Sequence, residues 1–368
     1  MNMNFFVNTK VITGVGCVKN NAEKFGTYGK KCLIVTGASS AKKCGALDDV
    51  LSALDSQDIV YEIYDKICQN PTVESCIEAG RIAYEIKADF ILGIGGGSPL
   101  DASKAIAVVA ANPDISEEKI YSMDWMNKPL PVVAVGTTAG TGSEVTSVAV
   151  ITNSKGLKKS FRNDLSYPVL SFGDPRYTLS LSDSFTRSTA VDALAHCVES
   201  FFNRSANDIS KIYAVAGVRK LFKVFDKIID DGTESLGIDD REELYNASLL
   251  GGLAIAVTGT AFPHALSYFL TENYGVAHGT ACAVFLNEFI DYNLTVKPEL
   301  TAEFFDEIRV DADVFKSTVQ KVMPEINVEL SNADIDALSV RWENNAGLKR
   351  NWGNVDTEFV SALLRKLF

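Results

Sequence analysis

The order of patterns along the chain predicts an α/β domain built on a parallel sheet, followed by an all-α domain. Three observations carry this expectation. Through the first half, short apolar runs alternate with helical stretches, the repeat that builds a parallel sheet covered on both faces. After Pro175 strand-like runs become scarce and long helical patterns take over. The length of 368 residues suits about two domains. A composition of 46% hydrophobic and 22% charged residues is globular rather than disordered. The boundary is placed near residue 180, with one domain over 1–180 and the other over 181–368.

The elements follow in order. Residues 32–36, Cys-Leu-Ile-Val-Thr, form a short apolar run that ends at Gly37 and reads as a buried strand. A helix is expected over 41–54. Residues 59–64 alternate like a second strand. Thr72 is placed as the cap of a helix running to Lys87, with Val73, Ile77 and Tyr84 near helical spacing and Gly80 on the same face, where it allows close packing. Residues 90–94 read as a third strand, and Gly95-Gly-Gly-Ser98 leads into a helix through Ala111. Residues 131–135 are a fourth strand. Helices are then expected over 185–202, 210–229 and 242–257. The stretch from Leu244 to Thr271 holds no charged residue, but Gly251, Gly252, Gly259 and Pro263 interrupt it. It reads as buried helices broken by a turn, not as a membrane span.

Charge and cysteines exclude several classes. The net charge is −12 and no basic block stands out, so neither a nucleic acid nor an anionic membrane surface is an expected partner. The opening residues Met1-Asn-Met-Asn-Phe-Phe-Val7 lack the basic region and long apolar run of a signal peptide. Seven scattered cysteines without a CxxC pair argue against a disulfide framework and suit free thiols in a reducing cytoplasm.

Two loops carry the first functional reading. In residues 90–101 a buried strand ends in Gly95, Gly96, Gly97 and Ser98 before a helix begins. Glycines let backbone approach a diphosphate, and the first turn of a helix favours an anion. The Rossmann fingerprint is not met, because its last glycine is replaced by Ser98. A tight strand–helix connection explains a single such turn equally well. The second loop, Gly136-Thr-Thr-Ala-Gly-Thr-Gly-Ser-Glu144, is rich in small residues and hydroxyls. Two such loops after two parallel strands point to the carboxyl edge of a Rossmann-like sheet, where nucleotides bind.

The turn after the first strand of the domain, residues 32–36, bears on which dinucleotide. It offers Gly37, Ser39, Ser40, Lys42 and Lys43, and the first acid after Gly37 is Asp48. A carboxylate near the ribose selects NAD, while small residues, hydroxyls and ammonium groups accommodate a 2′-phosphate. NADP is therefore expected in preference to NAD.

The chain has three histidines, His196, His264 and His278. Asp192 and His196 lie four residues apart, on one helical face. One carboxylate and three imidazoles suit Fe²⁺ or Zn²⁺, and such a site polarises oxygen as a Lewis acid. Each histidine taken singly also fits a hydrogen-bonded core position.

These pieces together resemble the iron-containing (group III) alcohol dehydrogenases. The matching segments are residues 95–104, residues 137–146, Asp192-Ala-Leu-Ala-His196, Pro263-His264 and Ala277-His278-Gly279. The resemblance implies a dinucleotide-binding domain, a helical domain and a metal with the active site in the cleft between them. It implies reversible NAD(P)-linked hydride transfer between nicotinamide and a small alcohol or aldehyde. Asp192, His196, His264 and His278 would hold the metal. Gly95, Gly96, Gly97 and Ser98, with Asp101 in the same motif, would serve the diphosphate. Thr137, Thr138, Thr141 and Thr146 would line the nicotinamide side, and Lys159 matches a cofactor-proximal lysine. The NADP reading also gains from the Val-Thr-Gly-x-Ser-Ser form of NADP-preferring members.

Many members carry a further histidine four residues after the third ligand, where this chain has Tyr268. Tyr268, with His278, is the candidate catalytic group, as pocket wall or hydroxyl donor; packing is its other reading. A tyrosine titrates near 10, so it supplies no histidine-like pH step. A homodimer is the assembly the resemblance implies by default. Two competing classes stay open: a dehydroquinate-synthase-like lyase holding NAD and zinc without net redox turnover, and a binding protein that keeps the fold without turnover.

Overall fold

The computed structural model describes residues 5–343 and 345–368. The chain divides into two compact units. One comprises Phe6–Leu181 with Gly237–Tyr245, and the other is built from Ser182–Leu236 and Asn246–Phe368.

In the first unit, strands β1 (Lys10–Thr13), β2 (Lys31–Thr36), β3 (Val60–Tyr64), β4 (Phe90–Gly95), β5 (Val132–Gly136) and β8 (Leu170–Gly173) make one sheet. Its order is β1-β8-β5-β4-β2-β3, and every pairing is parallel. The central strands β4, β5 and β8 are buried throughout, which is why β4 and β5 read as apolar runs. Leu92 lies between Ile34 of β2 and Val133 of β5, so the runs stack in register. The edge strand β3 leaves Val60 and Ile63 exposed. Strands β6 (Val148–Thr152) and β7 (Lys158–Arg162) form a separate antiparallel hairpin.

The expected strands and helices of this unit are present, with one correction. The helix expected over 41–54 is broken into Ser40–Lys43 and Ala46–Asp55. Gly45 between them takes φ +83°, the left-handed conformation that ends a helix. Thr72 caps the Val73–Glu85 helix by accepting from the Ser75 amide at 3.2 Å. Gly80 packs that helix on Gly97–Ala111: an added Cβ would lie 2.4 Å from Val109. Strands β1, β6, β7 and β8 were not legible. They are four or five residues long, and β8 carries Ser171 and Gly173.

The second unit is helical. Asp183–Phe202 is buried on all sides from Ala190 onward, so it shows no solvent-facing polar stripe there. Ser182 caps it through the Phe185 amide. Asn207 and Ser210 form a capping box for Asp208–Asp231. The charge-free stretch forms parts of two helices, Ile238–Thr258 and Phe262–Tyr274, bent by 111° at the break. Among the described residues no single helix is long and apolar enough to cross a membrane. The start of Ile238–Thr258 groups with the sheet unit, where the buried Tyr245 hydroxyl donates to Glu144 at 2.8 Å. All seven cysteines are unpaired.

Candidate functional site

In the helical unit, Asp192, His196 and Glu199 fall at i, i+4 and i+7 of one buried helix. Pro263 sets the start of Phe262–Tyr274 and places His264 in its first turn. His278 opens the helix His278–Ala283. Gly279 lets that helix lie against Asp183–Phe202. A Cβ there would fall 1.9 Å from the Ser188 carbonyl oxygen and 2.7 Å from the Asp192 Cβ. Ser188 adds an anchor by accepting from the Thr280 amide at 3.1 Å.

The result is a compact donor cluster. One ligand atom each from Asp192, His264, His278 and Cys282 lies within 4.8 Å of the others. His264 Nδ1 is hydrogen-bonded to Glu199. The other Glu199 oxygen accepts from the Ala261 amide at 2.5 Å. A carboxylate only accepts, so Nδ1 carries a proton, and a neutral ring offers its lone pair at Nε2. That Nε2 faces Asp192 Oδ1 at 3.5 Å, and neither buried atom has a hydrogen-bond partner. These two buried atoms face each other, so a cation, either a proton on Nε2 or a metal, belongs between them. A divalent metal fits this set, with Glu199 as the outer carboxylate that orients the ring.

The electrostatics agree. Burial opposes the charge on Asp192, but His196, His264 and His278 hold its carboxyl well below the usual range. Burial also opposes a charged His264, yet Cys282, Glu199 and Asp192 push its pKa well above the ordinary histidine value. The spot therefore favours positive charge: without a metal the ring takes a second proton on Nε2, and a metal there would replace it. His196 stands beside the group of four, its ring stacked on His264 with centroids 4.5 Å apart. Tyr268 stacks on His278 at 6.0 Å, one turn along from His264.

Glu199 and Cys282 belong to this cluster without having stood out in the sequence. A signal existed: Glu199 continues the Asp192–His196 spacing, and Cys282 repeats it from His278.

The sheet unit supplies a different arrangement. Gly95 ends β4, and Gly96 and Gly97 follow with the second loop packed on them. A Cβ on Gly96 would meet Thr138, and one on Gly97 would meet Thr141, each at 2.9 Å. Thr137 donates its amide to Gly95 at 3.0 Å. Ser98 is engaged by the Asn70 amide at 3.3 Å.

Asp101 holds the loop in place, accepting from Ser143 at 2.6 Å and from the Val150 amide at 2.9 Å. The fully buried Lys104 reaches Ser143 and the Val148 carbonyl, each at 2.7 Å, and Thr146 at 3.4 Å. Gly37 is half-buried, while Ser39, Ser40, Lys42 and Lys43 are exposed. Lys159 lies on β7 with Nζ 4.6 Å above the Tyr121 ring.

Comparison with known proteins agrees with both halves. The family described as "Iron-containing alcohol dehydrogenase" matches residues 8–175, and "Fe-containing alcohol dehydrogenase family, C-terminal" matches residues 186–343. The chain is 33% identical over 294 residues to the 1,3-propanediol dehydrogenase of Citrobacter freundii, covering 77% of this chain and 73% of that one. It superimposes with TM-score 0.91 on an iron-containing alcohol dehydrogenase from Thermotoga maritima, at 33% identity and 99% coverage of both chains. The sulfoacetaldehyde reductase of Bifidobacterium kashiwanohense, solved with NAD⁺, gives 0.89 at 25% identity, covering 100% and 99%. This chain belongs to the iron-containing alcohol dehydrogenase family. The comparisons support an oxidoreductase and lend nothing to the lyase alternative.

Proposed function

We propose that the protein is a metal-dependent, NADP-preferring dehydrogenase that interconverts small alcohols with aldehydes or ketones. One observation carries the reading: Asp192 Oδ1 and His264 Nε2 are buried, unpartnered and 3.5 Å apart, with His264 oriented by Glu199. Asp192, His196, His264 and His278 are the residues proposed to hold Fe²⁺ or Zn²⁺. The metal would supply Lewis-acid polarisation of a substrate oxygen, and the nicotinamide the hydride chemistry.

The chain's own residues then have distinct tasks. Glu199 keeps the His264 proton on Nδ1. Tyr268, stacked on His278, is placed to present a hydroxyl or a wall to a small substrate. Gly95, Gly96, Gly97 and Ser98 are proposed to receive the diphosphate, and Thr137, Thr138, Thr141 and Thr146 the nicotinamide side. Asp101 and Lys104 fasten that second loop. Lys159 is proposed to lie near the cofactor.

NADP preference rests on the turn alone. Its residues from Ser39 to Lys43 include exposed hydroxyls and ammonium groups, and the first acid after Gly37 is Asp48. The family resemblance supports a homodimer, and unpaired thiols suit the cytoplasm.

The test combines metal analysis of freshly purified protein with an aldehyde panel read by nicotinamide absorbance. Stoichiometric metal with net oxidation of NADPH is expected. Full turnover in metal-free protein would defeat the metal assignment. Faster turnover with NADH would defeat the cofactor assignment.

A further inference from the structure

We propose that Tyr245 is a positioning residue for the cofactor: its hydroxyl, acting through Glu144, sets the shape of the second loop and with it the seat of the nicotinamide ring. The inference rests on the reading of that loop as the nicotinamide side, and it adds a residue that neither motif nor resemblance assigns.

Space is the first argument. Gly136 and Gly173 are in register at the carboxyl ends of β5 and β8. Tyr245, the last residue of the segment Gly237–Tyr245 that groups with the sheet unit, fills the room these two leave. A Cβ on Gly173 would fall 2.2 Å from the phenol ring. One on Gly136 would fall 2.1 Å from the Tyr245 hydroxyl and 2.0 Å from Glu144 Oε1. Tyr245 and Glu144 are each only 2% exposed, so solvent does not stand in for either partner.

Bonding is the second. The hydroxyl donates to Glu144 Oε1 at 2.8 Å. The other carboxyl oxygen is buried and has no hydrogen-bond partner among the described residues. A buried acceptor left unpaired is destabilising, so the bond to Tyr245 decides where this side chain rests. Burial raises the Tyr245 pKa well above the ordinary tyrosine value and Glu144 adds to the rise, so the hydroxyl keeps its proton and goes on donating.

Place in the chain is the third. Glu144 lies in the turn Ser143–Val145, beside the Ser143 that Asp101 and Lys104 fasten and just before Thr146. Its carbonyl accepts from the Ser171 hydroxyl of β8 at 2.7 Å. The far end of the loop is thus held from two sides, by the Gly97–Ala111 helix through Ser143 and by Tyr245 and Ser171 through Glu144. Hydride transfer depends on where the nicotinamide ring sits, and a misplacement of about 1 Å is enough to weaken it.

Ligand binding separates this role from general packing, because a fragment without nicotinamide does not use that seat. Freshly purified protein is titrated with NADPH and NADH by fluorescence, and with ADP-ribose 2′-phosphate and ADP-ribose by calorimetry. Tyr245→Phe keeps the phenyl ring in its slot and removes only the hydroxyl. It should weaken the better-bound reduced cofactor about 10-fold and leave both fragments within about twofold of wild type. Equal losses for cofactor and fragment, or no loss for either, overturn the inference while leaving the loop reading standing. Glu144→Leu should weaken the same cofactor as much, and Glu144→Gln, which keeps an acceptor oxygen, should recover most of that loss. Equal behaviour of Glu144→Leu and Glu144→Gln overturns the inference, even where Tyr245→Phe does not fold. Thr138→Val and Thr141→Val test the loop reading separately: binding of all four ligands unchanged in both variants defeats it, and this inference with it.

Discussion

At the carboxyl edge of the sheet, Gly96 and Gly97 lie where a side chain would run into Thr138 and Thr141. In the helical unit, Asp192, His264 and His278 converge because Gly279 lets one helix press against the backbone of another. The first arrangement presents backbone and small hydroxyl residues, fastened from behind by the Asp101–Lys104 pair. The second is made of buried ionisable side chains. A backbone surface tolerates change in its surroundings as long as its glycines stay small. A donor cluster fails when one atom is lost, because its partners are left as uncompensated buried polar groups.

Removing a donor should produce the largest effect. His264→Ala is expected to abolish metal retention and lower turnover by more than about 1,000-fold. Circular dichroism should show the fold retained. Unchanged metal content would break the contrast between the two regions.

Glycine substitutions sharpen the contrast. Gly279→Ala puts a methyl group against the Ser188 carbonyl, which cannot rotate away, and should cost about 2–4 kcal/mol in denaturant titration. Gly96→Ala meets only the Thr138 side chain, which can rotate, and should cost about 1 kcal/mol while raising the cofactor KM. Equal costs would show that backbone contact is not what separates them.

Gly37→Asp should shift the ratio of kcat/KM for the two cofactors toward NAD by about 10-fold, close to 1.4 kcal/mol. Its new Cβ must give slightly at the Ile67 carbonyl, 3.2 Å away, so the thermal midpoint should be recorded alongside. An unmoved ratio would remove the turn from cofactor choice.

Tyr268→Phe tests one hydroxyl in the helical unit. If that hydroxyl handles the substrate oxygen, kcat should fall about 10-fold with metal content unchanged. Identical kinetics would leave Tyr268 as packing.

The smallest effect lies in the sheet unit, at Asp49. Burial opposes its charge, but Lys19, Tyr177 and Arg176 outweigh it and lower its pKa. The folded pKa lies below the unfolded value, so this contribution is present above about pH 4 and is lost as pH falls through the folded pKa. Asp49→Asn should therefore be less stable at pH 7 by about 1 kcal/mol, since Lys19 and Arg176 are solvent-screened. The gap should close in acid. A gap that stays constant with pH would point to packing instead.

Much of the fold was legible because its physics is local. The central strands are buried on both faces, so their apolar runs announce them. Thr72 caps a helix by a rule that spans three residues. The break at Gly45 was missed because a glycine within a helical pattern does not declare its φ. Strands β1 and β8 escaped because, at four residues each, they are recognisable only by their neighbours in the sheet.

The same division runs through the candidate site. By itself the sequence determined an α/β sheet with glycine loops at its edge, a later helical region, and an Asp192–His196 pair on one helical face. Each follows from spacing within a single element. Tertiary structure decided that His264 and His278 come to Asp192, that Glu199 binds the His264 Nδ1 proton, that the His196 ring stacks on His264, and that Cys282 lies close by. No spacing rule reaches across helices separated by dozens of residues. Their meeting depends on a close backbone approach at Gly279 and on a buried carboxylate finding the one ring nitrogen that satisfies it.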